Sequence, residues 1–67
     1  MNNINEYIKK FKDLNINDAE EFAKMSDLTI RITKKDGLRL IVTRDYRINR
    51  VNVEVKDDVI IKVMGIG

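Results

Sequence analysis

Three arginines, Arg44, Arg47 and Arg50, recur at a spacing of three residues in the middle of the chain, and one carboxylate, Asp45, lies among them. Arginine presents a planar fork of N–H donors that forms charge-assisted hydrogen bonds with a carboxylate or a phosphate. The cluster could therefore hold Asp45 and the nearby Thr43 hydroxyl within the chain, or it could bind an acidic partner. Taken alone, this spacing is also typical of a solvated basic surface.

The rest of the sequence offers little that could catalyse a reaction. Its 67 residues include no histidine and no cysteine, which removes the commonest general base, the commonest transition-metal ligand and any disulfide. No glycine-rich phosphate loop and no nucleophile paired with a base occurs in the chain. Asp57 and Asp58 are adjacent acids, but their place between two apolar runs is typical of a solvated turn. We expect no enzymatic activity, no cofactor and no metal.

Charge is distributed unevenly along the chain. Residues 28–50 contain seven basic and two acidic side chains, a net charge of +5, whereas residues 1–27 carry −2 and residues 51–67 carry −1. An acidic partner would therefore be attracted to the middle of the chain. The first residues lack the basic and apolar regions of a signal peptide, and no apolar run is long enough for a membrane span. These features predict a cytoplasmic protein with no membrane association.

Helical periodicity is confined to the first 25 residues. An N-terminal helix over residues 3–14 is predicted from apolar residues at helical spacing, namely Ile4, Tyr7, Ile8, Phe11 and Leu14. A second helix over residues 18–25 is predicted to follow an Asn17 cap, with Glu20 completing a capping box.

From Leu28 onward the hydrophobic period changes to two, which is typical of half-buried strands. Apolar residues alternate in four runs: Leu28, Ile30 and Ile32; Leu38, Leu40 and Val42; Val51, Val53 and Val55; and Val59, Ile61 and Val63. The strand at 28–33 could form a hairpin with 38–43, or it could pair in parallel with 51–55 and leave 34–50 as one long connection.

This element order predicts an α+β fold in which a helix, joined by an extra N-terminal helix, packs on a small mixed β-sheet. A long exposed binding loop would precede the strand at 51–55. We interpret residues 1–67 as a single domain, with an N-terminal helical arm at 1–15 and a core domain at 16–67. A domain of this size buries only about 60% of its unfolded surface, so its stability margin is small.

The run from Val42 to Val55 resembles the binding loop and following strand of the potato type I serine-protease inhibitors, which have the eglin-like fold. In that family a valine–threonine pair, a variable residue and an acid precede a tyrosine–arginine segment and an arginine–valine strand. Here the corresponding residues are Val42-Thr43-Arg44-Asp45-Tyr46-Arg47 and then Arg50-Val51. The turn at 56–58, the strand at 59–63 and the terminal Gly67 follow in the same order as in the family.

The resemblance implies a role for each residue of this run. Arg44–Asp45 would be the reactive bond, with Arg44 entering the specificity pocket of the protease. Arg47 and Arg50 would support the loop by holding Thr43 and Asp45. The residues that would contact the protease beside the reactive bond are Val42, Thr43 and Tyr46.

The predicted function is reversible, substrate-like inhibition of a trypsin-like serine protease by a monomer or weak homo-oligomer. Two alternatives stay open. The same scaffold could bind or block a protein that is not a protease, as in a small intracellular or viral protein. Residues 31–50 could instead bind nucleic acid weakly, although Tyr46 is the only aromatic residue among these charges and nucleic acid is the less expected partner.

Overall fold

A computed structural model describes residues 4–67 of the protein, without the side chain of Asn5. Residues 4–67 form a small α+β structure with two short helices and a mixed four-stranded sheet. The elements are α1 (Ile4–Ile8), a 3₁₀-helix (Lys9–Phe11), α2 (Ile16–Met25), β1 (Thr29–Lys35), β2 (Leu38–Arg39), β3 (Arg50–Lys56) and β4 (Val59–Ile66). Within residues 4–67, no helix is long and apolar enough to cross a membrane.

The N-terminal helix is shorter than the periodicity predicts. Helix α1 ends at Ile8, and the 3₁₀-helix ends at Phe11. Asp13 then adopts a φ of 71° and donates its backbone N–H to the carbonyl oxygen of Ile60 at 2.7 Å. A left-handed residue cannot continue a right-handed helix, and this backbone group is bonded to β4 instead. The prediction of one helix to residue 14 is therefore wrong, and its residue 3 lies outside the described residues.

Helix α2 begins two residues before the predicted start because Asn15, rather than Asn17, is its cap. The Asn15 side chain accepts a hydrogen bond from the backbone N–H of Asn17 at 2.9 Å. Asn15 has extended backbone angles and forms an isolated antiparallel bridge with Val59. An N-cap needs non-helical backbone angles, and this bridge keeps Asn15 in such a conformation.

The strand order in the sheet is β2-β1-β3-β4. Strand β1 pairs in parallel with β3 and antiparallel with β2, while β3 and β4 are antiparallel. Both pairings considered for residues 28–33 therefore occur together. The hairpin is much shorter than predicted, because β2 has only two residues. The last backbone hydrogen bond of the hairpin runs from the Leu40 N–H to the Thr33 carbonyl. The prediction of a strand to residue 43 is wrong.

The hydrophobic core lies between the helices and one face of the sheet. Val51, Val53 and Val55 of β3 are buried, as the alternation predicts. Asn52 and Glu54 point to the other face, where they are half-buried rather than exposed. The remaining buried residues in the described part of the chain are Ile8, Phe11, Ala19, Ala23 and Ile60. Two of these, Ile8 and Phe11, belong to the predicted N-terminal arm, so the arm contributes directly to the core.

Strand β4 does not follow the predicted alternation. The three buried valines of β3 lie opposite Ile60, Val63 and Ile66, which are spaced by three residues rather than by two. Two register shifts in the β3–β4 pairing cause this, since each shift adds one residue to β4. Ile61, which the alternation places in the core, is 46% exposed, and Ile60 is buried in its place.

Candidate functional site

Residues 40–49, named here the connecting segment, join β2 to β3 and contain no helix or strand. Every residue of this segment is exposed. The segment lies near the sheet face opposite the helices, which we name the polar face. Arg31, Asn52 and Glu54 belong to this face, because they alternate with residues that pack in the core.

Asp45 is the centre of a hydrogen-bond network in the connecting segment. Its carboxylate accepts a hydrogen bond from the Thr43 hydroxyl. The same carboxylate accepts from Arg47 Nε at 3.1 Å and from Arg50 Nη1 at 3.4 Å. Arg50 also donates from Nη2 to the backbone carbonyl of Asp45 at 2.7 Å. Both the side chain and the main chain of Asp45 are thus held by charged donors.

These contacts lower the pKa of Asp45 well below its ordinary range. The hydrogen bond from the Thr43 hydroxyl is the largest cause, followed by the hydrogen bond from Arg47. Arg50 adds both a hydrogen bond and an attractive charge, and partial desolvation of the carboxyl opposes these effects. All three donors favour the ionised carboxylate, so Asp45 is negatively charged at neutral pH.

Arg47 and Arg50 differ in how firmly they are anchored. The Arg50 side chain is only 12% exposed, and its Nε donates to the Gly67 carbonyl at 2.9 Å. The Gly67 N–H in turn donates to the Arg50 carbonyl at 2.9 Å. The Arg47 side chain is 65% exposed, and its Asp45 contact is its only hydrogen bond to a described side chain. Arg50 is therefore the more rigid support of Asp45.

Arg44 lies directly before this network but takes no part in it. Its side chain is exposed, and no hydrogen bond or ion pair joins it to another side chain in residues 4–67. Val42 and Tyr46 on either side are exposed as well, with Tyr46 at 69%. The residues with predicted contact roles thus lie at the surface, while Asp45 between them is held by hydrogen bonds from Arg47 and Arg50.

One residue that holds the segment was missed by the sequence reasoning. Arg47 and Arg50 were predicted to hold both Thr43 and Asp45, but their side chains donate, within residues 4–67, to Asp45 and Gly67. Thr43 is held by Arg31 of β1 instead, whose Nη1 lies 3.0 Å from the Thr43 carbonyl oxygen and 3.4 Å from its hydroxyl. A signal was present, because Arg31 alternates with core residues and therefore has to point to the polar face.

Comparison of the chain with protein-family models, with curated proteins and with solved structures finds no match.

Proposed function

We propose that the protein is a reversible, substrate-like inhibitor of a trypsin-like serine protease, with Arg44–Asp45 as its reactive bond. The observation that supports the proposal is the exposed Arg44 placed beside an Asp45 that Arg47 and Arg50 hold in position. The connecting segment would be the binding loop, with Val42, Thr43 and Tyr46 as further contacts. The resemblance of residues 42–55 to the potato type I inhibitors supports the same function.

A substrate-like inhibitor must present an extended segment that is already ordered before the protease binds it. Each flexible side chain that becomes fixed at an interface costs about 0.5–1.5 kcal/mol, so an ordered loop gains affinity. This chain has no cysteine and cannot order a loop with a disulfide. Charge-assisted hydrogen bonds from Arg47 and Arg50 to Asp45 would order the loop in place of a disulfide. Arg44 suits the target because the specificity pocket of trypsin contains a carboxylate.

The same contacts weaken the case for nucleic-acid binding. Arg31, Arg47 and Arg50 already donate to acceptors within the chain, which leaves fewer free donors in residues 31–50 for phosphates. A protein target that is not a protease could still use the exposed surface around Arg44. Inhibition assays distinguish these possibilities.

The decisive experiment measures inhibition constants against trypsin-like, chymotrypsin-like and subtilisin-like proteases. We expect the parent protein to inhibit the trypsin-like enzyme most strongly. Arg44→Ala should weaken this inhibition at least about 30-fold, because a buried arginine anchor is typically a hot spot. Arg39→Ala is a matched control, since Arg39 is an exposed arginine of β2 outside the connecting segment, and it should leave inhibition unchanged.

Two results would overturn the proposal: no inhibition of any of these proteases by the parent, or equal inhibition by the parent and the Arg44→Ala variant. Oligonucleotide binding measured in parallel tests the nucleic-acid alternative. Phosphate contacts would appear as a logarithmic salt dependence with a slope of about −0.9 for each contact.

A further inference from the structure

Arg31 also connects the sheet to the connecting segment, from β1 rather than from β3, where Arg50 lies. In addition to its bonds to Thr43, Arg31 donates from Nε to the Asn52 side-chain oxygen at 2.7 Å. Arg31 and Asn52 are direct partners in the parallel pairing of β1 with β3, so their side chains project on the same face. The Asn52 amide nitrogen donates to the Gly65 carbonyl of β4 at 3.4 Å. Asn52 thus orients the Arg31 guanidinium toward Thr43.

Apolar packing holds the first half of the connecting segment only in part. An open cleft of about 360 Å³ lies between the polar face and this part of the segment, and Leu40, Val42 and Met64 are among its lining residues. Leu40 and Val42 are each 39% exposed, and Ile41 is fully exposed. Thr43 itself is exposed, and among the described contacts the hydrogen bonds from Arg31 are those that tie Thr43 to the sheet.

We propose that Arg31 is a positioning residue for the reactive bond. It holds Thr43 on the N-terminal side of Arg44–Asp45, while Arg50 holds Asp45 on the C-terminal side. The two supports project from neighbouring strands, β1 and β3, so the bond between them is fixed at both ends. This inference rests on the proposed function for its consequence in inhibition, but the ordering of Thr43 by Arg31 can be measured without a protease.

The experiment compares the parent with Arg31→Ala by ¹⁵N relaxation of the free protein and by mass-spectrometric mapping of trypsin cleavage. In Arg31→Ala we expect the backbone order parameters of residues 42–44 to fall below about 0.6, while those of β3 stay at about 0.85. Cleavage between residues 44 and 45 should become about tenfold faster, as expected for the loss of a charge-assisted hydrogen bond. Arg31→Lys should restore only part of the order, because lysine lacks the fork that reaches Asn52 and Thr43 together.

Thr33→Val is the matched control. Thr33 also lies on β1 and donates to the Val53 carbonyl at 3.2 Å, so this variant loses a side-chain hydrogen bond of the same strand without touching Thr43. It should leave residues 42–44 as ordered as in the parent. Asn52→Ala should loosen the same residues less than Arg31→Ala does, and the two changes should be non-additive because Asn52 acts through Arg31.

The possible failures are distinguishable. Unchanged order of residues 42–44 in Arg31→Ala would overturn the role of Arg31, even if the parent inhibits trypsin. Equal loosening in Thr33→Val would also overturn it, since the effect would then belong to β1 in general. A third outcome is that residues 42–44 loosen in Arg31→Ala but not in Thr33→Val, while the parent protein inhibits no protease. That result would support the positioning role and overturn the proposed function.

Discussion

The two faces of β3 are held by different forces. On one face, Val51, Val53 and Val55 are buried against the helices, where contact is apolar and non-directional. On the other face, Arg50 and Asn52 form directed hydrogen bonds to the connecting segment, to Gly67 and to Arg31. The same alternation that builds the core therefore also places the polar side chains that orient Asp45. We infer that the apolar face determines whether the chain folds, and that the polar face determines where the proposed reactive bond lies.

The magnitudes of the two kinds of contact separate their effects. Full burial of a large apolar side chain contributes about 1.5–3 kcal/mol to folding. A net hydrogen bond contributes about 0.5–1.5 kcal/mol, and exposed ion pairs contribute less. Substitutions on the apolar face should therefore change global stability, whereas substitutions on the polar face should change the order of the connecting segment.

The largest expected effect is on the apolar face. Phe11→Ala should lower the free energy of unfolding by about 3–5 kcal/mol, because Phe11 is fully buried and contacts Phe22. A domain of this length has about 3–10 kcal/mol of total stability, so much of the variant should be unfolded. Urea denaturation followed by circular dichroism measures this. Met25→Ala, at an 83% exposed position of α2, should change stability by less than about 0.5 kcal/mol. If Phe11→Ala were as stable as the parent, the N-terminal arm would not contribute to the core as described.

A smaller effect on stability is expected from Arg50→Ala. Loss of its bonds to Gly67 and Asp45 should lower the unfolding free energy by about 1 kcal/mol. The connecting segment should nevertheless become clearly more mobile, and trypsin should cut the Arg44–Asp45 bond faster. Under the proposed function, binding to a trypsin-like protease should weaken mainly through a faster dissociation rate. Arg47→Ala should have the same effects to a lesser degree, because its side chain is largely exposed. Equal effects of the two variants would contradict the difference in anchoring described above.

Much of the apolar face was predictable from the sequence. The alternating valines of β3 gave the correct buried face because β3 is regular in its pairing with β1 over residues 50–53. The phase of β4 was not predictable, since its register shifts depend on how it pairs with β3 and not on its own residues. The end of α1 and the cap of α2 were missed for a similar reason. Both depend on backbone contacts with β4 and the turn before it, formed by Asp13, Asn15 and Ile16.

The polar face was predictable only where the interacting residues are close in sequence. Asp45, Arg47 and Arg50 lie within six positions, so a contact among them could be proposed from spacing. Arg31 lies 12 positions from Thr43 and 21 from Asn52. Its role requires the parallel pairing of β1 with β3, which the sequence left as one of two alternatives. Local patterns therefore indicated the C-terminal support of the proposed bond but not the N-terminal one.

The smallest effect, and the one most specific to the polar face, is a response to acid. The pKa of Asp45 is lowered in the folded state, so folding favours its ionised form. The ionised Asp45 carboxylate should contribute fully to the order of the connecting segment above the ordinary aspartate pKa of about 3.9. This contribution should be lost as the pH falls through the lower pKa that Asp45 has in the folded state. Between pH 7 and about pH 4, the segment should therefore not change.

Titration of the Asp45 carboxyl carbon by NMR, together with the amide order of residues 42–45, measures this response. A titration midpoint near 3.9 would contradict the network. Asp45→Asn is the control, because its side chain cannot titrate and its segment should be loosened at every pH. In the described residues no charged side chain is buried in the core, so the apolar face has no equivalent of this titration. Acid should therefore loosen residues 42–45 before the core unfolds, which would separate the two faces of β3 in a single experiment.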